Sequence, residues 1–94
     1  MRVLLLTTYE KPKSEERLKK WNEFDRQIFY DRNAKFSITP SSWTDGTGKW
    51  YYLMEFESYD AYAKYMDDEE FQTYVEQNFR LADNVEIKVL REYF

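Results

Sequence analysis

Both glycines of this chain fall inside one short stretch, Thr44-Asp45-Gly46-Thr47-Gly48, and that placement constrains the fold more than any other feature. Glycine supplies the positive backbone angles of a tight turn, and Asp and Thr supply the side-chain bonds that close it. The stretch reads as the turn of a hairpin, so the segments on either side of it are two antiparallel strands. Lys35 to Trp43 opens with alternation, Lys-Phe-Ser-Ile-Thr, and directs Phe36 and Ile38 inward. Its Pro40 suits an edge position, because proline cannot donate to a ladder on both sides. Lys49 to Glu57 (Lys-Trp-Tyr-Tyr-Leu-Met-Glu-Phe-Glu) is dense in aromatics and is the strongest strand in the chain.

A helical pattern flanks the hairpin on each side. Ser14 offers an N-cap, with Glu15 and Glu16 in the first turn where the helix dipole favours them. Leu18, Trp21, Phe24, Ile28 and Phe29 recur at helical spacing, and Asn33 suits a left-handed stop, which predicts a helix over 15–32. After the hairpin, Ser58 caps a second helical segment with Tyr59, Tyr62, Ala63 and Met66 on one face. Asp67-Asp68-Glu69-Glu70 interrupts it, and Asp67 with Glu70 has capping-box spacing. Phe71, Tyr74, Val75 and Asn78 continue one face to about residue 79, so this helix is expected to be kinked or in two pieces.

The outer segments read as strands. Residues 2–9 form an apolar and β-branched run without alternation, as in a strand covered on both faces. Asn84 to Tyr93 alternates Val85, Ile87 and Val89 against Glu86 and Lys88. Strand, helix, hairpin, helix, strand is a pair of split β-α-β units, an α+β, ferredoxin-like arrangement. Right-handed crossovers put the first and third strands in the middle of a four-stranded antiparallel sheet and both helices on one face. Trp50, Tyr52, Met54 and Phe56 then face the helices, and Tyr51, Leu53 and Glu55 face away. The uncovered face carries apolar side chains, so a homodimer through that open face is expected, with an interface above about 1,000 Å².

Ninety-four residues make one domain, 1–94. The chain has no Cys and no His, which removes disulfides, thiolate chemistry, His-ligated haem, most zinc sites and any imidazole acid/base step. The reading therefore calls for no cofactor and no metal. A net charge of −4 gives up the electrostatic attraction to phosphate on which nucleic-acid binding relies. The apolar run Val3 to Leu6 is too short for a signal segment or a membrane span, so no membrane partner is expected and the protein is placed in the cytoplasm.

One segment carries a family resemblance: Gly48-Lys49-Trp50-Tyr51-Tyr52-Leu53-Met54-Glu55-Phe56-Glu57-Ser58-Tyr59-Asp60-Ala61-Tyr62. A third strand ending in an aromatic-rich Phe-x-Ser step, then a helix and an Asp-Asp-Glu-Glu-Phe break, resembles the dimeric α/β-barrel superfamily. Within it the likeness is to small NIPSNAP-like and antibiotic-biosynthesis-monooxygenase-like proteins. The resemblance implies a pocket in each subunit between sheet and helices for a small hydrophobic or aromatic molecule. It implies either a cofactor-independent oxygenase or isomerase, or a non-catalytic ligand-binding or assembly protein. The absence of His sets the chain apart from the haem-degrading branch.

Asp25 falls inside the apolar stripe of the first helix, where a carboxylate is costly unless paired or protonated. It reads either as a proton carrier at the pocket or as a structural carboxylate held by Arg32, a Tyr hydroxyl or a Trp N–H. Trp21, Tyr52, Tyr74 and Asn78 form the candidate ligand-binding set, with plain core as the alternative. Tyr52 shares the helix side of its strand, and Tyr74 and Asn78 stand at i, i+4 on one helix face. Glu55 reads as a cross-dimer hydrogen-bonding group. The run Asp67 to Glu70 lacks the spacing of a calcium loop and reads as a solvated helix start. Trp50, Tyr51 and Tyr52 suggest an RNA-binding sheet, but its glycine-aromatic signature is missing.

Overall fold

The computed structural model describes residues 1–24, 26–36 and 38–93; of Arg26, Ile28, Phe29, Arg32, Thr39, Phe71 and Tyr74 it describes the backbone alone. Eight elements follow one another: β1 (Val3–Glu10), α1 (Glu15–Glu23), α2 (Arg26–Lys35), β2 (Thr39–Thr44), β3 (Lys49–Phe56), α3 (Tyr59–Asp67), α4 (Glu69–Arg80) and β4 (Asp83–Arg91). The strands form one antiparallel sheet in the order β2-β3-β1-β4. The two most apolar strands are central, and Pro40 lies on an edge strand. The fold is α+β and ferredoxin-like.

Register decides which side chains meet. Leu5 is opposite Met54, Thr7 opposite Tyr52 and Val3 opposite Phe56, so one sheet face gathers the core. Val3, Leu5, Tyr52, Met54 and Phe56 are buried there with Ile38 and Tyr65, and Phe36, Tyr62, Val75 and Phe79 pack against them. Each such side chain contributes about 1.5–3 kcal/mol by leaving water. Tyr62 and Tyr65 of α3 both contact the Phe56 ring, at centroid distances of 5.4 and 5.3 Å, which seats that helix on β3. The opposite face carries Leu4, Leu6, Tyr51, Leu53 and Leu90 by the same register. Glu55 lies on that side, as its strand period requires. Its Oε1 accepts from Arg2 Nη1 at 2.6 Å within the same chain.

The first helical stretch is not the single helix expected over 15–32. It breaks at Phe24, whose backbone is extended (φ −69°, ψ 127°) and whose N–H reaches only Trp21 O at 3.4 Å. The apolar stripe runs unbroken through this point, so spacing could not show the break. The break costs helical bonds, and both Trp21 before it and Phe24 at it line one cavity. Asn33 is not a left-handed stop either. It lies inside α2, fully buried, and its carbonyl accepts from the N–H groups of Phe36 (3.1 Å) and Ile38 (3.3 Å), closing the helix end. β2 consequently starts at Thr39 rather than Lys35.

The second helical stretch divides where its acidic run predicts, between α3 and α4. The N-cap position of α4 falls on Asp68, one residue beyond Asp67, because the Asp68 carbonyl accepts the first helical bond, from Gln72 N at 2.9 Å. Gln72 Nε2 also donates to Tyr65 O at 2.8 Å, tying the two pieces together. β4 begins with a bulge against β1 between Thr8 and Glu10, and Asn84 takes the left-handed conformation there (φ 52°). Among the described residues no helix is long and apolar enough to cross a membrane.

Candidate functional site: an aromatic slot between sheet and helices

The helix-facing side of the sheet ends in a run of polar and aromatic residues. On β1 the period of two carries Leu5 and Thr7 on to Tyr9, and on β2 Ser42 lies opposite Tyr52 of β3. α1 lowers Trp21 onto Tyr9, with ring centroids 5.5 Å apart, and α4 brings Phe79 to Tyr9 at 5.7 Å. Phe24, Tyr30 and Asn78 complete the walls of a slot of about 50 Å³. That is roughly a third of an apolar void that takes up benzene. An outer groove of about 290 Å³ adjoins it, sharing Tyr9, Trp21 and Ser42 and adding Lys11, Asn22 and Trp50. Lys11 Nζ lies 5.8 Å from the centre of the Trp50 ring, a cation–π contact at the groove's rim.

Two buried amides organise the polar chemistry. Asn33 Nδ2 donates to the Tyr52 hydroxyl at 3.0 Å, which orients that hydroxyl. Burial pushes the Tyr52 phenol well above the ordinary tyrosine range. The Asn33 hydrogen bond opposes the shift, and the nearby phenols of Tyr30, Tyr65 and Tyr9 add to it. Tyr52 therefore stays a neutral phenol at physiological pH. Asn78 is 8 % exposed, lines the slot, and its Oδ1 has no hydrogen-bond partner among the described residues. Leaving a buried polar group unmet costs about 1–3 kcal/mol. A protonated phenol and a free amide can bind and orient a ligand; neither exchanges a proton near neutrality.

Of the residues singled out in the sequence, Trp21, Tyr52 and Asn78 meet in this slot. Asp25 lies outside the described residues, as do the side chains of Tyr74 and of Arg32. Trp50 is on the helix side, in the outer groove. Asn33 was readable as more than a helix stop, since it continues the helical stripe at i+4 from Phe29. Ser42 was not readable, because its place depends on the β2–β3 register. Among the described residues no group of three or more carboxylates is placed to hold a metal ion.

The sequence matches no protein-family model, and no curated protein matches it significantly. Solved structures do match. Rv0793 from Mycobacterium tuberculosis superposes with a TM-score of 0.73 at 10 % identity, covering 100 % of this chain and 97 % of that one. SnoaB, a cofactor-independent oxygenase from Streptomyces nogalater, gives 0.67 at 12 % identity over 99 % and 94 %. A NIPSNAP family protein from Agrobacterium tumefaciens gives 0.60 at 13 % over 97 % and 92 %. The fold is shared with monooxygenase-like and NIPSNAP-like proteins. The resemblance carried by Gly48 to Tyr62 thus holds for the architecture of the whole chain, and identities this low speak to fold alone.

Proposed function

We propose that this protein binds a small flat aromatic molecule in the slot between sheet and helices, and works as a homodimer joined through the open sheet face. The observation that carries the binding reading is Asn78, an amide whose buried oxygen has no partner among the described residues and which is set among aromatic rings. A core with no ligand to serve favours an apolar residue there. The dimer reading rests on Leu4, Leu6, Leu53 and Leu90, aligned on the sheet face opposite the buried core. Arg2 joins Glu55 and Glu92 at the border of that face, each ion pair 2.6 Å long.

The cofactor-independent oxygenase chemistry named for SnoaB is the catalytic form of this proposal, with isomerisation as its redox-neutral relative. In either, Tyr52 and Asn78 position the substrate with Trp21 and Tyr74, and Asp25 is the proton carrier. The non-catalytic form keeps the same slot and assigns Asp25 to structure. A thermal-shift screen of aromatic acids, quinones and phenols tests the binding reading, since a ligand of the native state raises Tm. A hit that Asn78→Leu abolishes supports it, and a screen without hits refutes it. Oxygen uptake with a hit compound, lost in Asp25→Asn, separates the catalytic form from the non-catalytic one.

A further inference from the structure

An amide side chain is a two-sided reader: its oxygen accepts and its nitrogen donates, side by side in one plane. Asn78 makes no side-chain hydrogen bond among the described residues, although it is more than nine-tenths buried. Its described neighbours in the slot are aromatic residues and Ser42. Among the described wall residues none is a carboxylate, ammonium or guanidinium, so a charged group beside Asn78 loses its water without meeting a counter-charge from them. Lys11, the cationic side chain nearby among the described residues, belongs to the outer groove.

We infer that the ligand meets Asn78 with a donor beside an acceptor on the edge of a neutral flat ring, as a lactam, an aryl carboxamide or an amino-substituted aza-ring does. Asparagine reads such an edge with two parallel hydrogen bonds, the pattern it uses on adenine. The pairing works with either orientation of the amide, because the ligand edge carries both partners. The inner slot, at about 50 Å³, admits a polar edge but not a whole ring. The body of the ring then occupies the outer groove of about 290 Å³, against Trp21 and Trp50. Polar edge inward and ring outward is the binding pose. This rests on the slot being a binding site, and the test separates the two.

Calorimetric titration of the wild-type protein with carbostyril and with N-methylcarbostyril provides that test. The two share ring and carbonyl, and only the first has the N–H beside it. Wild type is expected to bind carbostyril about tenfold or more tightly than its methylated partner. In Asn78→Leu, and in Asn78→Ala should the leucine variant not fold, carbostyril binds no more tightly than its methylated partner. Equal binding of the two compounds by wild type overturns the edge inference and leaves the slot standing. A tenfold ratio that persists in the variants assigns the preference to the bulk of the methyl group and also overturns it. If neither compound binds, nor any member of the aromatic screen, the slot reading falls and this inference with it.

Discussion

Replacing Asn78 by leucine, a side chain of similar size, isolates the cost of the unmet amide. Its Oδ1 is shielded from water and has no partner among the described residues, a penalty of about 1–3 kcal/mol in the ligand-free protein. Leucine removes that penalty and adds apolar surface next to Phe79 and Trp21, so the variant is expected to be more stable than wild type by about 1–2 kcal/mol. For a chain of this size each kcal/mol moves Tm by about 4–8 °C. Calorimetric melting without ligand therefore shows a rise of at least about 4 °C, and urea titration shows a higher midpoint with an unchanged slope. The same variant loses binding in the aromatic screen, which is the trade expected where a polar group is kept for function at the expense of stability. A variant that melts lower than wild type and still binds refutes the reasoning. It would show that the amide is satisfied in solution and that the slot has no use for it.

Tyr52→Phe removes the acceptor for Asn33 Nδ2 and leaves that buried amide without a side-chain partner among the described residues. A loss of about 1–3 kcal/mol by urea titration is expected, and an unchanged stability refutes the pairing. Leu53→Asp places a charge in the middle of the open face. Light scattering is expected to fall from about twice 11.7 kDa to the chain mass, and a wild-type protein already at the chain mass refutes the dimer. Asp83 accepts from Lys13 N–H and faces Arg17, and these hold its carboxyl below the usual value of 3.8. Because the folded-state pKa is depressed, the stabilisation is present above pH 3.8 and is lost as pH falls through the lower folded value. The Tm gap between wild type and Asp83→Asn should therefore be open at neutral pH and close below pH 3.8; a gap constant across that range counts against the pair.

Much of the architecture was legible because single residues carried it. Pro40 marked an edge strand, the two glycines marked the hairpin, and the alternation from Trp50 to Phe56 fixed which side of β3 faces the helices. What escaped were features decided by tertiary contact. The break at Phe24 falls inside an apolar stripe that continues past it, and helical periodicity is blind to it. Asn33 has the composition of a helix stop, and only the approach of the Tyr52 hydroxyl from another strand makes it a buried partner. The bulge at Asn84 shifts register without changing the apolar pattern of β4, so Val85, Ile87 and Val89 gave no sign of it. Trp21, Tyr52 and Asn78 could be named separately from their periodic positions, whereas Ser42 and Tyr9 needed the strand register to join them.

The three tryptophans stand in three different surroundings. Trp21 is 5 % exposed in the slot wall, Trp50 borders the outer groove beside a lysine, and Trp43 is 63 % exposed on the edge strand, opposite Tyr51 on the open face. The protein thus carries its own optical labels. With the other two indoles replaced by phenylalanine, Trp21 emission reports filling of the slot and Trp50 emission reports a ring arriving at the mouth. Trp43 emission shifts to the blue only when a second chain covers the sheet. Ligand arrival and chain pairing can then be followed separately, each in its own single-tryptophan variant, with no dye attached.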